Sequence, residues 1–216
     1  MDPLYAFVRL VGRFWIWFFL KSVEVRHLER VPRRGPVLLC VNHPNNFIDS
    51  LLVGAVVPRQ VHSLATAALF RPGLLARFLT AMGAIPIYRR QDDPDKMERN
   101  VATFEACFDA LERGQLIAIY PEGTTHAEPR VRRIKTGAAR IALEAESRHV
   151  ARPWLTLIPV GLNFEARKSF RGRVLVSFGP AVPVTPYLDA YREDPVKAVD
   201  ALTTAIQWAM QAEVVH

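Results

Sequence analysis

Beyond residue 35 the chain alternates short, almost wholly apolar runs with longer stretches whose apolar positions recur every three to four residues. The short runs are 36–41 (PVLLCV), 61–66 (VHSLAT), 84–88 (AIPIY), 115–120 (QLIAIY), 155–160 (LTLIPV) and 173–178 (RVLVSF). Their length and β-branched content predict strands. The helical period predicts helices over 47–57, 71–81, 94–113, 134–148 and 195–211. Near-continuous apolar strands between helices predict an α/β fold, a mainly parallel sheet covered by helices on both faces. Ligands in such folds gather at the carboxyl ends of the strands. Four polar stretches follow predicted strands: NHPNN, YRRQDD, PEGTTH and GLNFE. Together they predict one site.

The first 21 residues stand apart. PLYAFVRLVGRFWIWFFLK is apolar and rich in aromatics, but Arg9 and Arg13 interrupt it, which argues against a spanning helix. The two arginines lie one helical turn apart. Aromatics crowd the end near Lys21, as at the headgroup level of a bilayer. Two readings remain: an amphipathic helix in the membrane interface, arginines toward lipid phosphates, or an amphipathic helix capping the core. The interfacial reading fits the aromatic cluster better. A signal peptide fits poorly, since charges fall within the apolar region and no small-residue cleavage site follows.

Composition sharpens this picture. The chain has 216 residues, half of them hydrophobic, with no linker-like stretch and no repeat, so one compact unit is expected. Cys40 and Cys107 both sit in apolar runs and read as reduced core thiols; without CxxC or clustered His/Cys spacing no structural zinc is expected. The formal charge of +7 is uneven: +4 over 1–40, zero over 41–120, +6 over 121–173 and −3 over 174–216. Such a surplus favours an anionic partner, whether phosphate, nucleic acid or an acidic membrane. No nucleic-acid-binding module is recognisable.

The candidate chemistry lies in the polar stretches. His43 is a group that removes a hydroxyl proton near neutral pH, and Asp49 is a carboxylate that would orient it. Six residues apart, they cannot share a helical face, so Pro44, Asn45 and Asn46 would have to turn His43 back over the next helix. From these residues alone, a polar turn between strand and helix is the alternative, with Asn46 as a helix cap. In PEGTTH, Gly123 frees the backbone, the N–H groups of such a turn suit an anionic oxygen, and Glu122 is a carboxylate that would orient arginines or accept a substrate hydroxyl. Arg130, Arg132, Arg133 and Lys135 follow, and Arg89 and Arg90 end the third predicted strand. Each is a phosphate candidate or a solvated surface cation. Neither a G-x-S-x-G elbow nor a P-loop is present.

Four ordered blocks now resemble the glycerolipid acyltransferases, a family that includes glycerol-3-phosphate and 1-acylglycerol-3-phosphate acyltransferases. NHPNNFID resembles the family's His-Asp motif, GAIPIYR its second block, YPEGTTH its third and IPVG its fourth, and they span most of the chain. The resemblance divides the chain into an interfacial helix, 1–21, and an acyltransferase domain, 22–216. It implies His43 and Asp49 as catalytic and Arg89, Glu122, Gly123, Thr124 and Lys135 as substrate-binding. It implies no metal and no cofactor beyond the co-substrate, acyl-CoA or acyl-carrier protein. The implied acceptor is a glycerol phosphate or a lysophospholipid, the implied partner a phospholipid surface rather than nucleic acid, and the implied location peripheral, on the cytoplasmic face. Two departures stand out. Five residues separate His43 from Asp49 where four are common, as in the branch with glycerol-3-phosphate and dihydroxyacetone-phosphate acyltransferases. Thr124, Thr125 and His126 also stand where an arginine commonly follows Pro-Glu-Gly. A lysophospholipid acyltransferase for another head group and a non-catalytic peripheral lipid-binding protein are the rival readings.

Overall fold

The computed structural model describes residues 3–45, 47–88, 100–124, 130–149, 153–165 and 171–214. Its elements, in order, are α1 (Pro3–Phe19), β1 (Leu20–Arg26), β2 (Val37–Val41), α2 (Phe47–Val56), β3 (Val61–Thr66), α3 (Leu74–Ala81), β4 (Ile85–Ile87), α4 (Asn100–Glu112), β5 (Leu116–Ile119), α5 (Gly137–Ser147), β6 (Thr156–Phe164), β7 (Gly172–Phe178), α6 (Leu188–Glu193) and α7 (Pro195–Ala212). Short 3₁₀ turns cover Leu28–Arg30, Ala67–Phe70 and Thr185–Tyr187.

The strands form one seven-stranded sheet in the order β1-β7-β6-β2-β5-β3-β4. From β6 to β4 all neighbours are parallel, with Leu38 opposite Ile117 on one side of β2 and Leu38 opposite Leu157 on the other. The expected parallel sheet is therefore present over five strands. At the other edge β7 runs antiparallel to β6, and β1 runs parallel to β7.

Burial explains the continuous apolar runs. Every residue of β2 and β5 is buried. Leu38, Cys40, Ile117 and Ile119 pack on one face with α4, α5 and α7. Val37, Leu39, Val41, Leu116 and Ala118 pack on the other with α1 and α2. A strand covered on both faces has no polar side to display.

Four expectations change. The first helix ends at Phe19, and LKSVEVR forms β1; its polar alternation is that of an edge strand against β7. GLNF is not a loop: Gly161–Phe164 extend β6 because β7 pairs with them. The third helix starts at Leu74, after a 3₁₀ turn rather than at Arg71. A short helix, α6, leads into α7, whose start is capped by the Asp194 carboxylate accepting the Lys197 N–H at 3.1 Å.

Candidate active site

β2 ends at Val41, and the chain must leave the sheet there without orphaning its polar groups. Asn42 manages the exit. Its side-chain amide donates to the Leu162 carbonyl at 3.1 Å and accepts the Leu162 N–H at 2.7 Å, so a buried side chain continues the ladder to β6. His43 thus begins its loop from a rigid point.

The loop that follows brings Asp49 back. The Ile48 N–H reaches the Asn45 carbonyl at 3.3 Å, closing a turn before α2. The Asn45 N–H donates to Asp49 Oδ2 at 2.7 Å. That same oxygen lies 2.9 Å from His43 Nδ1. Asp49 is completely buried in the first turn of α2, where the helix dipole favours a carboxylate. The extra residue between His and Asp is therefore absorbed in the turn, with Asn45 helping to hold the carboxylate in place. Asn46 lies outside the described residues, as does its expected capping role. With a carboxylate oxygen at Nδ1, the proton resides on Nδ1 and the Nε2 lone pair is left for a substrate. The His43 side chain keeps 18% of its surface exposed, enough for a substrate to reach it.

PEGTTH meets His43 from the end of β5. Tyr120 packs its ring against the imidazole, 4.4 Å between centroids. Its hydroxyl is buried in the neighbourhood of the Ser50 and Ser63 hydroxyls, and burial raises its pKa, so the phenol stays neutral. Glu122, also buried, accepts the His43 N–H at 3.0 Å through Oε1 and the Arg132 N–H at 2.8 Å through Oε2. Both oxygens thus hold backbone, tying the basic segment to the His43 loop. Gly123 has φ +68°, and a Cβ there would meet Lys135 Nζ at 2.7 Å. The left-handed backbone favours glycine here, and the missing Cβ leaves room for the lysine to approach.

A cleft of about 630 Å³ opens beside this turn, lined by Glu122, Thr124, Arg130, Val131, Arg132, Arg133 and Gln207. The α7 glutamines steady its wall: Gln211 accepts the Val131 N–H at 2.9 Å and Gln207 the Ile134 N–H at 3.2 Å. The structure thus gathers His43, Asp49, Glu122, Gly123, Thr124 and Lys135 at the carboxyl ends of the central strands β2 and β5. Arg89, Arg90, Thr125 and His126 lie outside the described residues. Asn42, Tyr120, Gln207 and Gln211 were not anticipated. For Asn42 the only signal was an amide at the predicted strand end.

A buried carboxylate beside a partly exposed histidine, next to a basic cleft at the carboxyl ends of parallel strands, is an arrangement that can take a proton from a hydroxyl. The Acyltransferase family model matches residues 22–163, and the chain belongs to that family. It is 34% identical over 110 residues to glycerol-3-phosphate O-acyltransferase 2 of Saccharomyces cerevisiae, covering 50% of this chain and 14% of that protein. It is 26% identical over 122 residues to the 1-acyl-sn-glycerol-3-phosphate acyltransferase of Bacillus subtilis, covering 56% of each. An uncharacterized acyltransferase of Schizosaccharomyces pombe is 24% identical over 260 residues, 81% of this chain and 38% of its own length. The chain thus spans 56% of the Bacillus relative, 38% of the Schizosaccharomyces one and 14% of the Saccharomyces one. The crystal structure of the 1-acyl-sn-glycerophosphate acyltransferase PlsC from Thermotoga maritima shares the fold, with TM-score 0.64 over 98% of this chain and 80% of that one, at 17% identity.

Proposed function

We propose that this protein transfers a fatty acyl group from acyl-CoA or acyl-carrier protein to a hydroxyl of a glycerol-phosphate acceptor, glycerol-3-phosphate or its 1-acyl derivative. The observation that carries this reading is the 2.9 Å His43–Asp49 contact beside the basic cleft. His43 Nε2 takes the acceptor hydroxyl proton, while Asp49 stabilises the imidazolium. The alkoxide oxygen bonds to the thioester carbonyl carbon. The tetrahedral intermediate then collapses, breaking the carbon–sulfur bond, and the thiolate leaves with the proton that His43 returns. No acyl-enzyme forms.

The acceptor phosphate sits in the cleft, served by Arg130, Arg132, Arg133 and Lys135 in place of the arginine absent after Pro-Glu-Gly, with the Gly123–Thr124 backbone beside it; Arg89 is assigned to the same phosphate on the family resemblance alone. Glu122 serves by positioning: its backbone contacts keep the anion site and the base in register. Residues 1–21 rest on the cytoplasmic face of the membrane, where a lipid product is released, and 22–216 carry the chemistry. No helix among the described residues is long and apolar enough to cross a membrane.

The test is direct. The full chain is incubated with acyl-CoA and, separately, glycerol-3-phosphate or 1-acylglycerol-3-phosphate, following thiol release and acylated product. One acceptor gains the chain, and His43→Ala loses about 10²–10⁴-fold in rate with its fold intact. A folded His43→Ala protein of near-normal rate would remove the mechanism. Lipid binding without thiol release would leave a non-catalytic protein, and turnover only with another head group would move the acceptor class.

A further inference from the structure

Large exposed apolar side chains are concentrated on one part of this molecule. Of nineteen among the described residues, nine stand on α1, two (Phe47 and Ile48) open α2, Leu69 follows β3, and Leu74, Leu75 and Phe78 stand on α3. Only Val25, Val101, Val196 and Trp208 lie elsewhere. On α1 the buried residues are Tyr5, Gly12 and Ile16, which fall within roughly 40° of one another at 100° per residue. The arc opposite them is Phe7, Leu10, Phe14, Trp17 and Phe18, so the helix turns its apolar side outward. Arg9 does not face outward as expected; its guanidinium donates to the Ala55 carbonyl at 3.3–3.4 Å and fastens α1 to α2.

The same three helices enclose an apolar cavity of about 130 Å³. Phe47 and Phe78 line it and are also exposed, so they mark its mouth. Ser50 and Ser63 line its inner end, beside the Tyr120 hydroxyl, and the Tyr120 ring touches His43. The segments that carry these side chains hold charge of one sign: no Asp or Glu occurs over 3–23 or 50–91. Arg13, Lys21, Arg71 and Arg77 are exposed on these segments.

We infer that α3 and the first turn of α2 form, together with α1, a single footing for an anionic phospholipid bilayer, with the cavity behind His43 opening onto it. This rests on the reading of α1 as an interfacial helix and adds a second, independent foot. Exposed apolar area this continuous marks an interaction surface. Exposed cations on the same segments as the exposed aromatics suit anionic headgroups. A second copy of the chain would set Arg71 and Arg77 against like charges, which disfavours self-association.

The test uses the full chain and vesicles of phosphatidylcholine with or without phosphatidylglycerol, read by flotation. Leu74→Glu/Leu75→Glu alters α3 only, and Phe14→Glu/Trp17→Glu alters α1 only. All four side chains are exposed, so thermal melts should be unchanged. Each pair is expected to weaken binding to anionic vesicles at least about tenfold, since one inserted leucine side chain is worth more than a tenfold change in partition. If the α3 pair binds like the parent while the α1 pair is released, the second foot is overturned and the reading of α1 stands. If neither is released, both fall. A Leu74→Cys protein carrying an environment-sensitive fluorophore gives a second readout, because Cys40 and Cys107 are buried. Its emission should shift to the blue with anionic vesicles, and a label at Val196→Cys should not shift. A shift that follows protein concentration without vesicles, with a dimer in sedimentation, would make this face a self-interface and overturn the inference.

Discussion

Asp49 Oδ2 receives both the Asn45 N–H and His43 Nδ1, so one atom serves the loop and the base. Asp49→Asn keeps the shape and removes the charge that stabilises an imidazolium. Its rate should fall by about 10²–10⁴-fold, the worth of a general base, with the acceptor KM little changed and the fold retained. Initial rates of acyl transfer check this; a parental rate would separate Asp49 from the chemistry. Glu122 is different in kind, because both its oxygens hold backbone. Glu122→Ala orphans two N–H groups and should cost about 1–3 kcal/mol, read as a Tm lowered by several degrees, along with activity. That His43 and Asp49 would pair was an expectation carried by the four blocks together, since the residues alone left a polar turn open; the turn through Asn45 supplies the approach. The roles of Asn42 and Tyr120 were not legible, because each depends on a partner distant in sequence: Leu162 for one, His43 for the other.

Elements built from local periodicity were the readable ones. β2, β3, β5, α2 and α5 fall within a few residues of their expected positions, since their apolar pattern is also their burial pattern. β1 and the far half of β6 were missed because only their pairing with β7 makes them strands. That corner is also where the end of α7 docks. A Cβ at Gly161 would lie 2.1 Å from the Glu213 backbone oxygen, while Glu213 accepts from Ser177 through its side chain and from Asn163 Nδ2, at 3.0 Å, through its backbone. Gly161→Ala should therefore push the end of α7 off the sheet, at about 1–3 kcal/mol, the usual cost of overpacking. Gly54→Ala is the control within α2. Its Cβ would meet only the Tyr5 hydroxyl, at 3.5 Å, and alanine is the better helix former by about 0.5–1 kcal/mol. Thermal melts should move in opposite directions for the two; a Gly161→Ala protein as stable as the parent would mean that α7 does not close on β6 this way.

At the scale of the whole molecule, the two core thiols report on cooperative opening. Cys40 on β2 and Cys107 on α4 belong to the same core beneath α5 and α7, and neither exposes any surface. Burial pushes both thiols from 9.0 up to about 12, because the thiolate cannot be solvated there. The unfolded chain therefore releases these protons near pH 9, while the native protein keeps them toward pH 12. Over that interval the unfolded state binds fewer protons, so stability declines as pH rises; below pH 9 the two thiols leave it unchanged. A Cys40→Ala/Cys107→Ala protein should start less stable, having lost packed volume, but its Tm should fall less steeply between pH 9 and 10.5 than the parent's. Thiol-specific reagents at pH 8 should label neither cysteine in the folded parent and both in denaturant. Rapid labelling of either one in the folded protein would show that this core opens locally, without the sheet coming apart.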